Sequence, residues 1–194
     1  MERIGRGEKV RAAVIAATLT ELTEKGYAAL TIDEIARRTG VHKTTIYRRW
    51  RDVPTLVLDA VTVHAEVDIP IPDSGDIERD LTRLATSFIG WATSTTGRAI
   101  LTVLLSDAAR IPEIAAIRRQ LFEDGPRRAD TMITAALARG DLPADVDPAE
   151  LLKALIAPIF FEIVIIGATV DQKTAAHAVS VALAAARAGV LGRQ

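Results

Sequence analysis

Apolar residues recur at helical spacing along almost the whole chain. Val10, Val14, Ala17 and Leu22, widened by Ile15 and Leu19, follow one helix face and predict a helix over residues 8–25 that Gly26 stops. Ile32, Ile35 and Ala36 give a short second helix its inner face. Thr31 and Glu34 stand at capping-box spacing at its start, and Thr39-Gly40 ends it. A third helix is predicted over 43–50, with Val41, Ile46 and Trp50 turned inward. A fourth is capped by Asp52, carries Pro54 in its first turn and runs to about 66. The stretch "VDIPIPDSG", residues 67–75, has no helical period and predicts a connector.

Beyond it, Ile77, Leu81, Leu84, Phe88 and Trp91 follow one face of a long helix. Another helix is expected after Gly97, to about 109. The next is expected from Pro112 to about 139, kinked or broken at Gly125-Pro126. "DPAE", 147–150, opens a further helix, and Asp171 caps the last one, to about 188. No strand pattern and no repeat interrupts the series. The expected fold is all-α, with about nine helices: an N-terminal three-helix helix-turn-helix domain over 1–52, a connecting helix and linker over 53–75, and a larger helical domain over 76–194.

Charge sharpens this division. Residues 1–52 carry a net charge of +4 and the remainder −5, so a basic front and an acidic back predict two jobs in one chain. Cysteine is absent, which excludes disulfides and thiolate metal sites. The N-terminus lacks the apolar core of a signal peptide, and Pro158 and Glu162 interrupt the greasiest run, 154–170. The expectation is a cytoplasmic protein that does not span a membrane.

The second and third helices, separated by "TGV", have the length and punctuation of a helix-turn-helix. Outward positions of the third helix suit DNA. Thr45 and Arg48 share a face, and an Arg can donate two bonds to a guanine edge while a Thr methyl meets thymine. Lys43, Thr44 and Tyr47 offer donors to phosphates, which fix register and carry no sequence information. Thr31, Arg49 and Arg51 complete the expected DNA-binding set.

The stretch "LTEKGYAALTIDEIARRTGVHKTTIYRRW" resembles the DNA-binding domain of the TetR family of transcriptional regulators. The likeness rests on Gly26-Tyr27, Thr31-Ile32, Ile35-Ala36, Gly40-Val41, Thr45-Ile46-Tyr47, Trp50 and Leu56, and it covers about residues 8–60. It implies a homodimer on a palindromic double-stranded DNA operator. It also implies a C-terminal domain that dimerises and holds a small-molecule effector, whose binding releases the operator. Two positions depart from the family pattern: Val53 stands where Lys is common, leaving that phosphate contact to Arg51 or to backbone amides alone, and His42 stands where Ser is common.

The final helices are expected to form the dimer interface through Ile156, Ile159, Phe160, Ile163 and Val164 on one and Ala178, Val181, Ala182 and Ala185 on the other. Small residues there allow close helix approach in a four-helix bundle across a two-fold axis. Candidate effector contacts are His64, Phe88, Trp91, Thr95, Leu104, Asp107, Arg110, Phe122, Met132 and Glu162, an apolar set with a few polar groups. No cofactor and no metal is expected. His64 and His177 stand far apart, and no metalloprotease, phosphate-loop or nucleophile motif occurs. The competing possibilities are a helical enzyme and a protein-interaction module without DNA binding.

Overall fold

A computed structural model describes residues 5–106 and 111–192. Among these it contains nine α-helices and no strand: α1 (Arg6–Lys25), α2 (Ile32–Thr39), α3 (Lys43–Arg49), α4 (Val53–Asp68), α5 (Ile77–Thr93), α6 (Thr95–Leu105), α7 (Pro112–Arg139), α8 (Pro148–Phe160) and α9 (Gln172–Arg187). A 3-10 turn, Tyr27–Ala29, follows α1, and a π-helical turn, Phe161–Ile166, follows α8.

The chain groups into two units. One takes Met1–Glu66 with Ser94–Arg119, the other Val67–Thr93 with Gln120–Gln194. This grouping does not follow the order of the sequence. The α6 helix packs on α1, so residues 94–119 associate with the N-terminal helices, whereas the expected boundary put everything after 75 in one domain.

In the first unit the predicted inner faces are the buried ones. Val14, Ile15, Ala17, Leu22, Ile32, Ile35, Ile46, Trp50, Leu56, Val57, Ala60 and Val61 form its core, joined by Ile100, Leu101 and Leu104 of α6. Gly97 does not precede α6 but lies buried within it. Ser94 is the cap, its hydroxyl accepting from the Gly97 N–H. Glycine is a poor helix former, yet a serine three residues upstream offers a stronger start than the glycine offers a stop.

In the second unit α5, α8 and α9 pack together with the second half of α7 around Leu81, Leu84, Met132, Ile133, Leu151, Leu155, Ile159, Ala178, Ala182 and Leu183. The connector is tied down here: the buried carboxylate of Asp80 accepts the Ser74 N–H with both oxygens, at 3.1 and 2.9 Å, and Arg128 donates to the Ile69 carbonyl.

The expected break at Gly125-Pro126 is absent, since α7 runs unbroken over 28 residues. Proline removes one ladder hydrogen bond, at a cost of about 3 kcal/mol. Buried residues on both sides, Ile114 and Ile117 before it and Ala129, Met132, Ile133 and Ala136 after it, more than offset that cost. The reverse happens after α8. Pro158 lies inside the helix, and the chain loosens into the π turn before Gly167, at φ 71°, ends it. Nothing in the sequence signalled that widening.

Candidate nucleic-acid interface

The site is built by α1, α2 and α3. The Thr31 hydroxyl accepts the Glu34 N–H at 3.2 Å and opens α2. The reciprocal half of the expected capping box is not made. Arg37 and Lys25 hold the Glu34 carboxylate instead, at 2.6 and 2.5 Å, because charge-assisted bonds outcompete a neutral amide. They hold Glu34 down at about pKa 2, with Arg37 the larger cause. Gly40 then takes a left-handed φ of 69°, which turns the chain from α2 into α3.

Beneath this turn lies an ion network that sequence reasoning missed. The Glu21 side chain is fully buried on α1. Arg38 reaches it at 2.6 Å and Lys25 at 2.9 Å, while a second Arg38 nitrogen bonds Glu24. These cations, Lys25 first, lower the Glu21 pKa. Joined through Lys25 to the Glu34–Arg37 pair, the network locks α2 to α1 and uses three of the N-terminal cations, Lys25, Arg37 and Arg38, for structure. Its sequence signal was weak. Glu21 and Lys25 are four apart on α1, but only the fold brings Arg38 to them.

On α3, Ile46 is fully buried and His42 starts the helix without a side-chain cap. Thr44 and Arg48 stand opposite Ile46 and are exposed, as are Lys43, Tyr47 and Arg49 on its flanks, with Thr45 half-buried; Thr31 and Arg51 are also exposed. The expected DNA-binding residues are thus accessible from outside, Thr45 only in part. They are not equally free. Lys43 pairs with Asp33 at 2.7 Å. Arg49 bonds Glu8 at 3.3 Å and stacks over Trp50, 5.6 Å from the ring centroid. Thr44, Tyr47 and Arg48 have no partner among the described residues, so an exposed phenol and guanidinium stand ready for an outside acceptor. Val53, half-buried, opens α4 where the family pattern has a phosphate-reaching Lys.

The arrangement matches known proteins at both ends. The family of bacterial regulatory proteins named for tetR matches residues 14–58, and the tetracycline repressor-like C-terminal domain family matches residues 71–182. The chain belongs to the TetR family. A DNA-binding transcriptional repressor, TetR, of Mycobacteroides abscessus is 32% identical over 150 residues, covering 74% of this chain and 76% of its own. The HTH-type transcriptional regulator AqdR of Rhodococcus erythropolis is 29% identical over 180 residues, covering 92% and 86%. Among solved structures, the TetR family regulator SCO0332 superposes with a TM-score of 0.76 at 31% identity, covering 91% of this chain and 97% of its own. This TetR-family protein is therefore a helix-turn-helix transcriptional regulator, a class whose members bind DNA operators and are not enzymes. Among the described residues no helix is long and apolar enough to cross a membrane.

The candidate effector residues fall in both units: Leu104 is buried in the first and Met132 in the core of the second. Thr95 is exposed, His64 and Glu162 are half-buried, and Phe122 is exposed. Phe88 and Trp91 stack at 5.9 Å, and Phe122 meets Phe160 edge-on at 6.0 Å. Asp107 and Arg110 lie outside the described residues. An open hollow over α5, lined by Pro70, Pro72, Thr82, Arg83, Thr86 and Ser87, was not anticipated.

The residues expected at the dimer surface differ in exposure. Ile159, Ala178 and Ala182 are buried within the second unit's own core. Ile156, Phe160, Ile163, Val164 and Ala185 are half-buried. Val181 of the expected set is exposed on α9, and Phe161, Ile165 and Ile166 in the π turn are exposed as well, the last at 58%. A helix stripe read from sequence cannot say which of its two apolar flanks meets the protomer.

Proposed function

We propose that this TetR-family protein is a homodimeric repressor that binds a palindromic operator through α3 and leaves it when a small molecule binds the C-terminal part of the chain. The observation that carries the DNA half is the unpartnered set Thr44, Tyr47 and Arg48, presented on one face of α3 and anchored by the buried Ile46. In this reading Arg48 and Thr45 read base edges, and Lys43, Thr44, Tyr47, Thr31 and Arg51 grip phosphates. Residues 1–52 act as the DNA-binding part and residues after 75 as the effector-binding and dimerising part. The dimer forms through exposed residues of the π turn and α9, and reading a palindrome requires its two copies of α3 to lie about 34–36 Å apart, one turn of duplex. Effector control needs about 1–3 kcal/mol of coupling between the two sites.

The test is enrichment of duplexes from random oligonucleotides by the purified protein, with sedimentation of the free protein alongside. The expected outcome is a dimer that selects an inverted repeat and loses affinity steeply with salt. A lone subunit that ignores every duplex at low ionic strength overturns the proposal.

A further inference from the structure

Five side chains close a ring around the C-terminal end of α3. Glu8 and Arg11, one turn apart on α1, both point at it. Glu8 bonds Arg49, and Arg49 lies over the ring of Trp50. The Trp50 indole N–H donates to Asp59 on α4 at 2.8 Å. Arg11 grips the same carboxylate with two nitrogens, at 2.6 and 3.3 Å, and so returns the circuit to α1. Trp50 is the first residue after α3 and is 3% exposed, while its polar edge meets one charged acceptor.

Apolar packing alone holds a helix end loosely in rotation. A bond from an indole N–H to a carboxylate fixed by a bidentate arginine sets both distance and direction. Base readout demands such placement, because a recognition side chain is productive only within a fraction of an ångström. Phosphate attraction tolerates far more play.

We infer that Asp59 is a positioning residue for DNA readout: by holding Trp50 against Arg11 it sets the pose of α3, and with it the preference for operator over random DNA. This inference rests on the DNA-binding role proposed for α3. The Asp59 carboxylate touches no DNA; it acts through Trp50.

The test compares Asp59→Ala, Asp59→Asn and Trp50→Phe with the wild-type dimer. Binding is measured to the duplex enriched from random oligonucleotides and to a scrambled duplex, well below each variant's Tm. The expected loss for Asp59→Ala is about tenfold on the enriched duplex, the factor for one hydrogen bond to a charged group, and no more than about twofold on the scrambled one. Asp59→Asn keeps an acceptor for the indole and restores most of the preference. Asp59→Ala and Trp50→Phe together lose no more than the larger single loss, since both break one bond. The Trp50 indole N–H resonance, assigned by its loss in Trp50→Phe, shifts in Asp59→Ala. Equal losses on both duplexes, additive losses in the double variant or an unmoved indole resonance each overturn the inference. A wild-type protein that binds neither duplex overturns the DNA-binding role itself, a separate result.

Discussion

Lys43 and Arg48 carry the same charge on one short helix, yet their surroundings differ. Arg48 is unpartnered, and Arg48→Ala is expected to cost about 1–3 kcal/mol on the selected operator and to relax preference at one base pair. Binding measured on operator and random duplexes checks this, and equal losses on both remove Arg48 from base reading. Lys43 already holds Asp33, a residue 65% exposed on the proposed DNA face. A surface ion pair adds little to stability, about 0–1 kcal/mol. Its effect falls on binding instead, since the carboxylate competes with phosphate for Lys43 and repels the duplex. Asp33→Asn is therefore expected to raise affinity on any sequence and to steepen the slope of log K against log salt by about 0.9. A salt titration showing an unchanged slope would refute this. The outward positions of α3 were legible from helical period and chemistry. The pairing of Lys43 was not, because Asp33 lies ten residues away on another helix and only the turn at Gly40 brings the two together.

At the scale of elements, the junction of α1 and α2 depends on ionised carboxylates. Glu34, normally near 4.5, is held at about 2 by Arg37 and Lys25, and Glu21 is lowered by Lys25 and Arg38. A lowered folded-state pKa stabilises the fold fully above the unfolded value, and the contribution fades as pH falls towards the folded value. The first unit is thus expected to lose stability progressively between about pH 4.5 and 2. Thermal melts across that range check it. Glu34→Gln should flatten the Glu34 share of the dependence, and a wild-type Tm constant from pH 5 to 2.5 would contradict it. Four helix starts were legible: Thr31, Asp52, Asp147 and Asp171 each accept N–H bonds where their sequence spacing placed them. The unbroken course of α7 through Pro126 and the π turn after Pro158 were not. In α7 one lost hydrogen bond is set against burial of residues on both sides of Pro126, and local sequence carries no measure of that burial.

For the whole molecule, the apolar face left over after the protomer packs is the one available for pairing. Ile165→Asp in the exposed π turn is expected to separate the proposed dimer while leaving the helical circular dichroism intact. Ile159→Ala, in the core, is expected to cost about 2–5 kcal/mol of protomer stability. Sedimentation and thermal denaturation of both variants distinguish the two sites. A dimeric Ile165→Asp would place the interface elsewhere. The helical class, most helix boundaries and the outward chemistry of α3 can be read straight from the residues. Those follow from period, caps and side-chain type, all of which act within a few residues. Packing in three dimensions was needed to group residues 94–119 with the N-terminal helices. It alone buried Ile159 and Ala182 inside the protomer and closed Glu8, Arg11, Arg49, Trp50 and Asp59 into one ring. Those outcomes depend on which faces meet, and a helix with apolar residues on two flanks satisfies its own sequence equally well either way round.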